Sequence, residues 1–184
     1  MVHAFTIESL VVAPRRRFDG RPADGPTPAH GDEHPTTVRV RAHKGLVGDR
    51  YFGTRFTYAT CSIIAAEQVL ALEGELQSGP FDPVDARRNL VTRGLDVDAL
   101  VRCSFTIDAG HGPIRFRSIT PANPCAWMNE MFAPGAHQAL RGHAGIRCEP
   151  LDDGQISAGP ATVFDVVVLS PEELRRRVST AAIF

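Results

Sequence analysis

The 184-residue sequence lacks the features that mark several classes of protein. It contains no apolar run near the roughly 20 residues that a membrane-spanning helix needs. The first residues, MVHAFTIESLVVAPRRR, have no basic region ahead of their apolar stretch and no cleavage site of small residues. We therefore expect a protein that has no membrane partner and stays in the cytoplasm.

The sequence is also poor in paired cysteines and in net charge. Its four cysteines lie far apart without a C-x-x-C pair, which argues against a zinc or iron–sulfur site of the usual spacing, and a reducing compartment argues against a disulfide. A formal net charge of −1 gives no overall signature of binding to nucleic acid or to an anionic membrane. Any anion must therefore be bound by a local cluster among the 20 basic residues, of which only Lys44 is a lysine.

Short segments typical of β-strands dominate the sequence that is present. They are rich in β-branched residues or alternate between apolar and polar side chains. The predicted strands are Phe5–Ala13, Thr36–Lys44, Thr57–Ile64, Asn89–Thr92, Ser104–Asp108, Ile114–Ile119, Gly145–Pro150 and Thr162–Leu169. This pattern predicts a mainly β fold, a closed or nearly closed β-barrel with a few short peripheral helices, in a single domain over residues 1–184.

The remaining segments predict loops and helices around that barrel. Residues 14–35 are dense in Pro, Gly and Asp, and we expect a mobile loop there. Ala65–Leu76 has helical composition, and two short helices are predicted within residues 121–143, separated by Pro134-Gly135. Ser170 and Glu173 form a predicted capping box for a C-terminal helix over residues 170–178.

Among the four cysteines, Cys125 is the one whose neighbouring residues favour a reactive thiol. Asn123-Pro124-Cys125 leads directly into the first of the two short helices, so the thiol is predicted to lie in a first helical turn. There the free N–H groups and the helix dipole favour the thiolate form, which ligates soft metals, carries a persulfide or acts as a nucleophile. A buried structural cysteine is the other interpretation, and it is the one we favour for Cys61, Cys103 and Cys148.

Two segments carry clusters of basic residues next to predicted strands. Lys44 and Arg50 flank a glycine-containing turn, a loop type that holds phosphate but also occurs as an ordinary turn. The second segment runs from Arg87 and Arg88 through Asn89 to Thr92, and strand alternation places one of its arginines at the barrel mouth or in solvent. Arg141 lies further along the chain and adds a donor near Cys125.

These segments together resemble the MOSC family, the molybdenum-cofactor sulfurase C-terminal domain, in its stand-alone bacterial type. The resemblance rests on Gly45-Leu46-Val47-Gly48-Asp49-Arg50, on Arg88-Asn89-Leu90-Val91-Thr92-Arg93-Gly94-Leu95 and on Pro124-Cys125, which occur in the family's order. It continues through Leu140-Arg141-Gly142 to Gly159 and covers nearly the whole chain.

The resemblance implies a β-barrel that binds the pterin-based molybdenum cofactor (molybdopterin with Mo). It makes Cys125 the catalytic residue and the metal ligand. The cofactor-binding residues it suggests are Lys44, Arg50, Arg87, Arg88, Asn89, Thr92, Asn123 and Arg141. Arginine and lysine suit the cofactor phosphate, and a thiolate suits a soft metal site completed by dithiolene sulfurs.

Three functions remain open under this resemblance. The first is an oxidoreductase subunit that reduces N-hydroxylated substrates, with electrons from a separate flavin or iron–sulfur reductase. The second is a sulfur carrier or sulfurtransferase that holds a persulfide on Cys125 and receives sulfur from a separate cysteine desulfurase, because we find no pyridoxal-phosphate domain in this chain. The third is a non-catalytic pterin-binding module, favoured by His143, Pro160 and the loop at 14–35.

Overall fold

The computed structural model describes residues 1–174, which contain ten β-strands, three short α-helices and the first turn of a fourth helix at residues 171–174. The helices are α1 (Ala66–Leu76), α2 (Trp127–Met131) and α3 (Ala136–Ala139). The strands are β1 (His3–Leu10), β2 (Thr37–Arg41), β3 (Gly45–Leu46), β4 (Cys61–Ala65), β5 (Leu90–Arg93), β6 (Cys103–Asp108), β7 (Pro113–Pro121), β8 (Ile146–Pro150), β9 (Gly154–Ser157) and β10 (Gly159–Val168).

Seven of these strands close into a barrel. Their order is β1-β10-β6-β7-β8-β4-β5, and a second sheet has the order β3-β2-β9. The pairings within the barrel are antiparallel except for β4 with β5, which run parallel and are joined through α1. The prediction of a mainly β closed barrel with short helices is therefore confirmed.

The barrel encloses the main hydrophobic core. Alternating residues of each strand point inward, as the period of two requires. Ile7, Ile63, Leu90 and Ile146 are fully buried there, and Phe105 stacks on its cross-strand neighbour Phe116 at a ring distance of 5.8 Å. A separate apolar cluster joins α1 to the helical region through Leu72, Trp127, Met128 and Leu140.

Several predicted strands differ in extent from the observed ones: β1 ends at Leu10 rather than at Ala13, and β10 starts at Gly159 rather than at Thr162. At β4 and β2 the difference has a local cause. Residues Thr57–Ala59 form a 3-10 turn, because the Thr60 hydroxyl bonds back to the Thr57 carbonyl, and β4 starts only at Cys61. Strand β2 ends at Arg41 rather than at Lys44. The Asp153 carboxylate accepts the Ala42 N–H, and the chain turns there. Strands β3 and β9, which start at Gly45 and Gly154, are absent from the predicted strands.

The C-terminal capping box is present. The Ser170 N–H donates to the Glu173 carboxylate at 2.7 Å, and the Glu173 N–H donates to the Ser170 hydroxyl at 3.2 Å. The predicted helix continues to residue 178, which lies outside the described residues. Within residues 1–174, no helix combines the length and apolar character needed to cross a membrane.

Residues 14–35, here called the strap, form a long loop with one 3-10 turn at Pro22–Asp24. A hydrogen bond stabilises the strap internally: the Arg17 guanidinium donates to the Thr27 carbonyl at 2.8 Å. The strap is tied to the barrel side where the Val12 N–H donates to the Glu33 carbonyl at 2.9 Å. Its mobility stays a prediction.

Candidate functional site

A cavity of about 220 Å³ lies between the strap and the loop that follows β7. Six arginines, three aromatic side chains and Cys125 line it, and no carboxylate among residues 1–174 does. The lining residues are Arg16, Arg17, Phe18, Arg50, Tyr51, Arg87, Arg88, Asn123, Cys125, Trp127, Met128 and Arg147. The cavity is therefore a cationic site beside a thiol.

Cys125 is exposed, whereas Cys61, Cys103 and Cys148 are buried. The prediction that it lies within a first helical turn is wrong by two residues, because α2 starts at Trp127 with Ala126 as its N-cap. The Cys125 carbonyl accepts the Met128 N–H at 2.9 Å, which makes the thiol part of the turn that leads into the helix. The positive charge at the site therefore comes from arginines rather than from the five-residue helix.

The exposure of the four thiols predicts the pattern of alkylation. In native protein, iodoacetamide should modify Cys125 alone, and in urea it should modify all four cysteines, as counted by mass spectrometry. Native Cys125→Ala should take up no label. A native adduct on Cys61, Cys103 or Cys148 would contradict the observed burial.

Arg88 holds the loop that carries Cys125. Its guanidinium donates to the carbonyls of Ala144 at 2.9 Å, Ala86 at 3.1 Å and Asn123 at 3.5 Å. Burial and the neighbouring Arg147 charge lower the pKa of Arg88 to about 10, while the charge of Cys125 acts in the opposite direction. Arg88 therefore fixes the backbone beside Asn123 and sets a positive charge near the sulfur.

Arg87 links the cavity to the strap through a buried ion pair. Its Nη1 donates to the Glu33 carboxylate at 2.7 Å, and both side chains are at most 5% exposed. Burial lowers the pKa of Arg87, and the hydrogen bond from Arg87 to Glu33 offsets part of that effect. The second terminal nitrogen, Nη2, is buried without a hydrogen-bond partner among the described residues.

Two strap residues and one helix residue form an aromatic and basic wall of the cavity. Phe18 stacks on Trp127 with ring centres 5.1 Å apart and planes 7° from parallel. Arg17 lies 4.0 Å from the Glu33 carboxylate, which also binds Arg87. The strap thus covers part of the cavity.

The turn after β3 supplies the opposite side of the cavity. The Asp49 carboxylate accepts hydrogen bonds from the Tyr51 N–H at 2.9 Å and from the Asn89 amide at 3.1 Å, which fixes the turn. The Arg50 guanidinium lies 4.7 Å from the centre of the Tyr51 ring. Its Nε is buried and has no hydrogen-bond partner among residues 1–174.

The predicted site residues divide into two groups. Cys125, Arg50, Arg87, Arg88 and Asn123 line the cavity together. The other four predicted residues, Lys44, Asn89, Thr92 and Arg141, do not line it.

Local contacts explain the second group. The Asn89 amide donates to the Val11 carbonyl and the Thr92 hydroxyl to the Ile64 carbonyl, so both side chains join barrel strands. Lys44 and Arg141 are exposed. Their positions give no support to contacts with a bound cofactor.

Sequence reasoning missed seven lining residues. They are Arg16, Arg17, Phe18, Tyr51, Trp127, Met128 and Arg147. The run Arg15-Arg16-Arg17 is a visible signal, since three adjacent arginines follow the first strand. Arg147 can be found only through the register of β8, which sets it opposite Ser62 of β4.

The fold and the cavity together define a class of protein: a closed β-barrel with an arginine-lined cavity beside an exposed thiol. The chain belongs to the MOSC domain family, because residues 32–162 match the family's sequence model. No curated protein sequence matches the chain.

Solved structures share the fold at low sequence identity. The YuaD protein of Bacillus subtilis is 14% identical with a TM-score of 0.67, and the match covers 89% of this chain and 96% of that one. YiiM of Escherichia coli is 18% identical with a TM-score of 0.56, over 98% of this chain and 77% of that one. YiiM of Geobacillus stearothermophilus is 16% identical with a TM-score of 0.60, over 96% and 84%.

Proposed function

We propose that the chain binds the molybdenum cofactor in the arginine-lined cavity, with Cys125 as the protein ligand of the metal. We further propose that it reduces N-hydroxylated substrates with electrons from a separate flavin or iron–sulfur reductase. The observation that carries the proposal is the exposed Cys125 thiol in a cavity that six arginines line and that no carboxylate lines in the part of the chain that the structure describes.

The residues that line the cavity fit a ligand that has an anionic phosphate group and already contains a metal ion. The buried nitrogens Arg50 Nε and Arg87 Nη2 have no partner in the described part of the chain, and an unpaired buried donor is costly. Phosphate oxygens satisfy such guanidinium donors. Within residues 1–174, no group of three or more His, Cys, Asp or Glu side chains is placed to hold a metal ion. One thiolate plus the sulfurs of a cofactor is therefore the metal site that these residues favour.

The bound cofactor would supply a two-electron centre. The net reaction converts R–NHOH, two electrons and two protons into R–NH₂ and water, and the N–O bond is the one that breaks. This chain's residues supply position and charge: Cys125 would hold the metal, and Arg88 keeps the Asn123 loop and its cysteine in place. Phe18 and the strap cover part of the cavity and limit the access of water.

A sulfur carrier is the second candidate, and the exposure of Cys125 favours it as well. A persulfide must be reached by the desulfurase that loads it and by the acceptor that takes its sulfur, so the carrier thiol has to be accessible. Arginines around it would stabilise the persulfide anion. This candidate needs no retained metal.

Elemental analysis of protein made in a molybdenum-replete host that synthesises the cofactor tests the proposal. We expect molybdenum to be retained in the wild type and lost by Cys125→Ala. The matched control Cys103→Ala changes a buried cysteine outside the cavity and should keep its metal. Equal molybdenum in wild type and Cys125→Ala would overturn the assigned ligand.

The second candidate gives a different result in the mass spectrum. Incubation with a cysteine desulfurase and cysteine should add about 32 Da, the mass of one sulfur, at Cys125. If metal-free wild-type protein acquires this adduct and Cys125→Ser does not, the protein is a sulfur carrier and not a reductase.

A further inference from the structure

Two of the buried cysteines lie directly opposite each other in the barrel wall. Strands β4 and β8 pair antiparallel, and their register sets Cys61 against Cys148. Nearly half of the chain separates the two residues in sequence, so no local motif brings them together. The structure therefore forms a pair of thiols from cysteines that are distant in the sequence.

Both side chains point into the barrel. Side chains directly opposite each other in an antiparallel pair lie on the same face of the sheet. Cys61 and Cys148 are fully buried, and both belong to the hydrophobic core that the barrel encloses. The two sulfurs are therefore neighbours inside the core.

The type of pairing sets the distance between the two cysteines. The Ser62 N–H donates to the Asn89 side chain at 3.0 Å, on the β5 side of β4, so it points away from β8. Backbone N–H groups alternate in direction along a strand, so the Cys61 N–H points toward β8. Cys61 and Cys148 are therefore a hydrogen-bonded pair with Cα atoms about 5.5 Å apart. That spacing is within the range of about 4.4–6.8 Å that disulfides span.

The two side chains need only a small movement to be joined. Cβ atoms of directly opposite residues lie about 4.5–5.5 Å apart, and a disulfide needs about 3.5–4.5 Å. An approach of about 1 Å is therefore required, which leaves the disulfide under strain. A strained disulfide is reduced more readily than a relaxed one, so oxidation of this pair should be reversible.

A polar group lies next to the pair. Ser118 of β7 is opposite Cys148 on the other side of β8. Its hydroxyl is buried and has no hydrogen-bond partner among residues 1–174. A hydroxyl in this position has a proton to donate to a thiolate, the form of cysteine that reacts with oxidants.

We propose that Cys61 and Cys148 are a redox-sensitive pair, which a peroxide oxidises to a disulfide between β4 and β8. One thiolate attacks a peroxide oxygen, the O–O bond breaks, and the sulfur becomes a sulfenic acid while water leaves. The second thiol attacks that sulfur, the S–O bond breaks, and a second water leaves. Two thiols and one hydrogen peroxide thus give one disulfide and two waters, and the two sulfurs together lose two electrons.

Burial determines how the reaction proceeds. Hydrogen peroxide is smaller than iodoacetamide, but it reaches these sulfurs only when the ladder between β4 and β8 opens locally. Oxidation should therefore be slow compared with that of the exposed Cys125. The pair does not depend on the proposed function, because neither Cys61 nor Cys148 lines the cavity.

The disulfide would fix the strand pairing beside the candidate site. Ser62 and Arg147 form the next pair of the same ladder, and Arg147 lines the cavity. A cross-link one residue away holds Arg147 in this register for as long as the pair is oxidised.

Peptide mapping after treatment with hydrogen peroxide tests the pair on Cys125→Ala, a variant that lacks the exposed thiol. N-ethylmaleimide, added in urea to block the remaining thiols, should label Cys103 only. Digestion should then give one peptide that links Cys61 to Cys148, about 2 Da lighter than the two thiol peptides together because two hydrogen atoms are lost. Dithiothreitol should return both cysteines to the thiol form.

Two double variants provide the matched comparison, and circular dichroism checks the fold of each before oxidation. Cys125→Ala with Cys103→Ala keeps the pair and should form the same linked peptide. Cys125→Ala with Cys61→Ala removes one of the two sulfurs and should form none. In Cys125→Ala, a linked peptide that contains Cys103 would overturn the proposal, and so would recovery of Cys61 and Cys148 as sulfinic acids or as N-ethylmaleimide adducts. None of these results depends on molybdenum, so the proposed function is tested separately.

Discussion

Gly145→Ala should destabilise the protein by about 3 kcal/mol or more, a large part of the stability of an ordinary domain. Gly145 precedes β8 with a φ of +86°, and a Cβ built there lies 2.1 Å from the Ile63 carbonyl oxygen of β4. That oxygen belongs to the rigid barrel backbone, so the clash moves β4 and β8 apart. Urea unfolding followed by circular dichroism measures the effect.

Gly110→Ala is a matched control for that substitution. Gly110 also has a φ of +86°, but a Cβ added to it meets no atom within 4 Å. Only the backbone cost of about 1–2 kcal/mol remains there. The difference in the free energy of unfolding between the two variants measures the effect of the close approach of Gly145 to β4. Equal losses of stability in both variants would contradict such an effect.

Glu33→Gln should cost about 3 kcal/mol at neutral pH, because it leaves the Arg87 charge buried without its counter-ion. Burial raises the pKa of Glu33, but the hydrogen bond and charge of Arg87, together with the His30 N–H and the Arg17 charge, outweigh burial and hold that pKa below its ordinary value of 4.5. The ionised carboxylate therefore contributes stability above the unfolded pKa, and that contribution is lost as the pH falls through the lower folded value. The loss caused by Glu33→Gln should shrink over the same acid range.

The surface pair of Glu8 with Arg93 provides the control for Glu33. Both of its side chains are at least 30% exposed, and water screens their interaction. Glu8→Gln should cost less than about 1 kcal/mol in the same denaturation experiment. Equal costs for Glu8→Gln and Glu33→Gln would contradict a buried, desolvated pair at Glu33.

The barrel is the part of the fold that the sequence predicts best. Strand periodicity is local, so alternation alone locates β1, β6 and β7 within a few residues. The errors at β4 and β9 have a different origin. The start of β4 is set by one hydroxyl contact of Thr60, and the four-residue β9 exists because it pairs with β2, a segment distant in the chain. Neither contact leaves a periodic pattern in the sequence.

The candidate site is predictable only in part, for the same physical reason. Cys125 stands out because a proline and a helix entry flank it in sequence. Arg147 and the strap reach the cavity through strand register and loop packing, which no local pattern contains. Asn89 shows the opposite case: its place in a basic segment suggests a ligand contact, while its amide is used to join β-strands.

The stacking of Phe18 on Trp127 has an optical consequence. Trp127 is the only tryptophan in the chain, and it is 7% exposed between the strap and the cavity. Indole emission shifts to longer wavelength when water reaches the ring, and nearby metal centres quench it. The protein thus contains one tryptophan at its candidate site, so a change in the solvent exposure of Trp127, or the proposed binding of a cofactor, can be followed by its fluorescence without any attached dye.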